Sequence, residues 1–134
     1  MRVMIDTNIL VSAIYSKNSI PYQAYKKAVV PPCQGLICEQ SIEEMRRIFN
    51  RKFPDKIQAL EKFITTMLSV IEVVPVPSDI YSDEDKIRDS KDRPILRATI
   101  KAKADILITG DKDFLESSVK RPKIMTAAQF IKEG

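Results

Sequence analysis

The stretch Met1-Arg-Val-Met-Ile-Asp-Thr-Asn-Ile-Leu10 decides how the rest of the chain is read. A short apolar run, Val3 to Ile5, stops at Asp6-Thr7-Asn8, and apolar residues resume with Ile9, Leu10, Val11, Ala13 and Ile14. This is the pattern of a buried strand feeding a helix, with an acid at the strand's carboxyl end. In open α/β sheets that edge is where ligands bind. A charge there is costly unless something pairs with it. Asp6 therefore either caps the helix or holds a cation, and the remainder of the chain has to decide between the two.

Working outward, the spacing predicts a helix over 8–15 and a loop at Lys17-Asn18-Ser19. A second helix follows, with Pro21 in its first turn, stopped by Pro31-Pro32. Gly35 to Cys38 reads as a second strand. Over 40–52, Ile42, Met45, Ile48 and Phe49 share one helical face, with Ser41 expected as N-cap and Glu44 at capping-box spacing. Ile57, Leu60, Ile64, Met67, Leu68 and Ile71 mark another helix over 55–70, expected to supply core and a dimer surface. Val73-Val74-Pro75-Val76 is a short strand limited by its proline. Residues 78–92 are a polar loop, and Pro94 opens a helix with Ile95, Leu96, Ala98, Thr99, Ile100 and Ala102 on its apolar side. Asp105 to Thr109 and Pro122 to Met125 are the last strands, and Thr126 caps a final helix ending near Lys132.

Strand and helix alternate along the chain. That predicts an α/β fold of three layers, α/β/α, with a central, mostly parallel twisted sheet. A length of 134 residues suits one domain over 1–134. The net charge of +4 permits a polyanionic partner without demanding one. There is no histidine, which excludes Ser-His-Asp and Cys-His devices. Cys33 and Cys38 form no zinc-finger or disulfide pattern and read as ordinary reduced thiols. No signal peptide and no membrane-length apolar run stand out, so the chain reads as cytoplasmic.

The acids carry the functional reading. Asp6 ends one strand, and Asp111 and Asp113 follow another. Glu44 sits in the first turns of a helix after the second strand, and Asp92 lies just before a helix. In a parallel sheet the carboxyl ends of all strands share one edge, so Asp6, Glu44, Asp111 and Asp113 can converge there. Simple alternation does not place Asp92. Two carboxylates about 5 Å apart repel by roughly 3 kcal/mol at an effective dielectric of 20. Four in one cluster reach about 10 kcal/mol of gross repulsion or more, comparable with the stability of a whole domain. Such a cluster persists by protonating, by spreading out, or by binding a hard cation, and oxygen ligands favour Mg2+ or Mn2+.

These segments match a known family. Asp6-Thr7-Asn8, Glu44, the run Arg88 to Ala98 and the run Thr109-Gly110-Asp111-Lys112-Asp113-Phe114 together resemble the PIN-domain nucleases. The nearest resemblance is to the PIN-family toxin components of toxin–antitoxin pairs. It covers nearly the whole chain, in order. It implies a metal-dependent ribonuclease in which Asp6, Glu44 and Asp92, with Asp111 or Asp113, bind Mg2+ or Mn2+ and hydrolyse RNA. Asn8 and Thr109 would orient acids or water. The resemblance also implies that the helix after Asp92 starts near the acidic edge, and it suggests a homodimer and a cognate antitoxin.

Other features have blander readings. Asp89 and the cluster Asp83-Glu84-Asp85 read as solvated loop, the latter lacking the glycine and terminal glutamate of a calcium loop. Arg93, Arg97 and Lys101 lie four apart on one helix, either a phosphate-tracking stripe or a solvated face. Lys26-Lys27, Arg46-Arg47 and Arg51-Lys52 read as surface charge. Tyr22 and Tyr25 read as packing residues rather than base-stacking ones. A haloacid-dehalogenase-like domain would need an aspartate where Asn8 stands, and a receiver domain an acid where Ile5 stands. A non-catalytic module of the same fold, binding RNA or a protein, is the other alternative.

Overall fold

In the computed structural model the described residues are 1–78, 86–87 and 93–133. β1 (Arg2–Ile5), β2 (Gln34–Cys38), β3 (Glu72–Val74), β4 (Ile106–Ile108) and β5 (Lys123–Met125) form one sheet in the order β3-β2-β1-β4-β5. All four pairings are parallel. The stretch that opens the chain is thus the central strand, with β2 on one side and β4 on the other.

Around it lie α1 (Thr7–Tyr15), α2 (Ile20–Ala28), α3 (Ser41–Lys52), α4 (Ile57–Met67), α5 (Arg93–Lys101), α6 (Lys112–Leu115) and α7 (Ala127–Lys132). Alternation along the strands sorts the core into two layers. Val3, Ile5, Ile37, Ile106 and Ile108 pack with Leu10 of α1, Ala24 of α2, Phe49 of α3, Ile64 of α4 and Phe130 of α7. Met4, Leu36, Cys38 and Leu107 face the other way, onto Leu96 of α5 and Phe114 of α6. Helices on both faces are what a parallel sheet with near-continuous apolar strands requires.

Several helix signals act as the sequence predicts. Pro21 lies in the first turn of α2, which Ser19, read from the sequence only as loop, caps by accepting the Tyr22 amide at 3.3 Å. Thr126 and Gln129 close a reciprocal capping box on α7. Tyr25 is buried against the Phe63 ring, 4.9 Å between centroids. Cys33 and Cys38 are free thiols, and burial pushes Cys38 up to about 11.

Two expectations need correction. Ser41 does not cap α3: Gln40 is the N-cap, and Ser41 lies inside the first turn, buried, with its hydroxyl accepting a bond from Thr7. The helix expected over 55–70 is a 3-10 turn at Pro54–Lys56 followed by α4, which closes at Met67 before a turn carries the chain to β3. The segment after β4, to which the sequence assigns no element, holds a short helix, α6. Asp111 starts it by accepting the Asp113 amide at 2.8 Å. Among the described residues no helix is long and apolar enough to cross a membrane.

Candidate metal centre

The chain leaves β1 for β2 and β3 on one side of the sheet, and returns for β4 and β5 on the other. The strand order therefore reverses between β1 and β4, which is the crevice where open α/β sheets place their ligands. Ile5 and Ile108 are register partners, so Asp6 and Thr109 emerge side by side at the carboxyl edge. The ladder continues one step further, with the Asp6 amide donating to the Ile108 carbonyl at 3.0 Å.

Asp6 stands at the N-cap position of α1, yet its side chain makes no capping hydrogen bond. Its carboxylate instead accepts the Thr109 hydroxyl at 2.8 Å and is only 5% exposed. Burial raises its pKa above the ordinary aspartate value. The Thr109 hydroxyl and the Thr7 amide oppose that shift, and the charge of Asp111 adds to it. Glu44, in the first turn of α3, is raised as well, by burial and then by the charge of Asp6, with Arg47 pulling the other way. Asp6 thus shares one electrostatic field with Glu44 and with Asp111.

Thr109, fully buried, joins two of these acids. Its hydroxyl donates to Asp6 and accepts the Asp111 amide at 3.0 Å. A second buried pair sits beside them, in which Thr7 donates to Ser41 at 2.8 Å and ties the start of α1 to the start of α3. Both helices present their amino termini at this edge, which favours negative charge there. Sequence reasoning misses the Thr7–Ser41 pair. The available signal is a hydroxyl residue at each helix start, and at Ser41 it points equally to an ordinary cap.

The other named residues fall as follows. Asp113 lies two residues beyond Asp111, in a recess of about 270 Å³ lined by Lys86, Glu116 and Ser117. Asn8 is exposed in the first turn of α1. Arg93 donates to the carbonyl of Ile87, within the 78–92 segment, at 3.1 Å, and Arg97 to that of Pro77, just before it, at 3.1 Å. Lys101 is exposed at the end of α5. Asp92, Asp89 and Asp83-Glu84-Asp85 lie outside the described residues.

The donor chemistry suits a hard cation. Every candidate ligand is a carboxylate oxygen, and Asp6 is buried with a hydroxyl, not a cationic side chain, as its hydrogen-bond partner. Among the described residues, no three acidic, histidine or cysteine side chains form by themselves a group that could hold a metal ion.

The PIN domain family matches residues 2–113. The chain belongs to the PIN domain family. The match spans the PIN sheet from β1 to β4 and takes in Asp6, Glu44, Asp111 and Asp113. Two solved structures share the fold. One is VapBC2 from Rickettsia felis bound to a DNA fragment from their promoter, at 20% identity and TM-score 0.65, covering 88% of this chain and 94% of that one. The other is a toxin–antitoxin complex from Klebsiella pneumoniae, at 21% identity and TM-score 0.66, covering 93% and 97%. No curated protein matches the chain at a significant level.

Proposed function

We propose that this PIN domain, spanning residues 1–134, is a metal-dependent endoribonuclease, the toxin of a toxin–antitoxin pair. The observation that carries the reading is a buried Asp6 whose charge is coupled to those of half-buried Glu44 and Asp111 at the β1/β4 switch point. Asp6, Glu44, Asp92 and Asp111 would hold Mg2+ or Mn2+. Asp111 is preferred over Asp113 because its charge acts on Asp6, and Asp113 would assist from two residues further on. A bound divalent ion supplies charge to offset the phosphodiester and polarisation to make water nucleophilic.

The chain's own residues do the positioning. Thr109 fixes the Asp6 carboxylate through its hydroxyl, and the Thr7–Ser41 bond sets Asp6 relative to Glu44. The amino termini of α1 and α3 direct backbone amides at the same space, where a scissile phosphate is stabilised. Asn8, exposed beside Asp6, orients water, and Arg93, Arg97 and Lys101 lie along α5 as contacts for the RNA backbone. The toxin role rests on the resemblance of the acidic segments and on the two toxin–antitoxin complexes that share the fold. A cognate antitoxin, a homodimer and a cytoplasmic site of action follow from that reading alone.

Asp6→Asn tests the activity. The pure variant should keep its fold and lose cleavage of single-stranded RNA, and full activity in the variant would refute the assignment. The alternative, a non-catalytic module of this fold, predicts RNA or protein binding with no metal-dependent cleavage by the native chain.

A further inference from the structure

A second charged feature lies at the opposite edge of the sheet. The end of α5, the turn into β4 and the segment before β5 enclose a recess of about 570 Å³. Lys103, Lys120, Arg121 and Lys123 line it, with Asp105 as its one acid. Asp105 is engaged, since its carboxylate accepts the Arg2 amide at 2.8 Å. Lys123 pairs with Glu133 at 3.1 Å. Among the described residues no carboxylate pairs with Lys103, Lys120 or Arg121, and all three are exposed. Lys103 also has a φ of 57°, a backbone conformation that favours glycine, so the turn carries a lysine where glycine would fold more easily.

Three unpaired cations around a concave surface call for a ligand with several negative charges. We propose that this recess binds the phosphodiester backbone of a single-stranded nucleic acid, as a second contact remote from the carboxylates. Asp105 and Thr109 bracket β4, so the two edges are separated by roughly 13 Å of strand. A single strand passing over the acidic edge can continue to the recess. The choice of RNA as that strand rests on the ribonuclease reading, whereas the binding itself does not require cleavage.

The test is binding of a short fluorescent single-stranded RNA to the full chain in chelator, followed across salt concentration. Each phosphate contact contributes a slope of about 0.7 in log affinity against log salt. Lys103→Gln, Lys120→Gln and Arg121→Gln combined should weaken binding roughly tenfold at low salt and reduce the slope by about 2. A control triple, Arg51→Gln, Lys52→Gln and Lys62→Gln, has the same net charge and should leave the slope near native. Equal losses in both triples would overturn the proposal, as would an unchanged slope in the first. Competition by inorganic phosphate or a mononucleotide as strong as by the oligonucleotide would make the recess a small-anion pocket instead. Binding to anionic phospholipid vesicles without binding to RNA would also overturn it. Because chelator removes metal-dependent cleavage, failure of the nuclease reading leaves this result unaffected.

Discussion

Thr109 donates its hydroxyl to Asp6 Oδ2 at 2.8 Å and accepts the Asp111 amide at 3.0 Å, so one fully buried side chain spans two acids that arrive from different strands. Replacing it with valine keeps the shape and removes both bonds. A buried carboxylate and a backbone amide then lose partners, a loss of about 1–3 kcal/mol. Thr109→Val should lower the melting temperature by several degrees and weaken metal binding, and Thr109→Ser should restore both. A valine variant that melts and binds Mn2+ like the native chain would show that the hydroxyl does not position Asp6.

The Thr7–Ser41 bond makes a similar prediction for Glu44. Ser41→Ala leaves the Thr7 hydroxyl buried without its acceptor, at about 1–3 kcal/mol. Because this bond joins the starts of α1 and α3, the variant should also bind Mn2+ more weakly than its lost stability explains. Arg51→Gln, on the exposed end of α3, serves as the control. Equal metal affinity in native and Ser41→Ala proteins would reduce the bond to ordinary core packing.

Much of the fold is legible in the order of the residues. The apolar runs mark five strands in the right places, because each strand, buried or at the sheet edge, is a short apolar segment bounded by polar residues or proline. Asp6 is legible as an acid at a strand's carboxyl end. Its role is not, since an aspartate before a helix reads equally as a cap, and only the Thr109 bond separates the two. Ser41 misleads for a related reason. A serine at a helix start looks the same whether it faces the backbone or a neighbouring helix, and the partner, Thr7, lies 34 residues away in the chain. α6 escapes notice because four residues are too few to show a helical period.

Two acids with raised pKa values set a pH dependence. Asp6 and Glu44 both have pKa values raised on folding, so the folded state holds their protons more tightly than the unfolded state. Their contribution to stability is fully present below the ordinary values of 3.8 and 4.5 and is lost as pH rises through the raised ones. Glu61 and Glu72, held low by Arg46 and Arg2, run oppositely, losing their contribution as pH falls below the ordinary range. Metal-free protein should therefore lose part of its stability as pH is raised from about 4.5 towards neutrality. Asp6→Asn should flatten that slope and raise the metal-free melting temperature at neutral pH. Saturating Mg2+ should stabilise the native chain at neutral pH and not the variant. Stability that climbs steadily as pH rises towards neutrality would mean that Asp6 and Glu44 do not share a desolvated site.

Calorimetric titration of Mn2+ into the pure chain at neutral pH tests the convergence of the carboxylates most directly. The native protein should give saturable heat, Asp6→Asn and Asp111→Asn should lose it, and Arg51→Gln should retain it. A native chain with no saturable heat, or variants that bind as the native chain does, would contradict a metal centre built on Asp6 and Asp111.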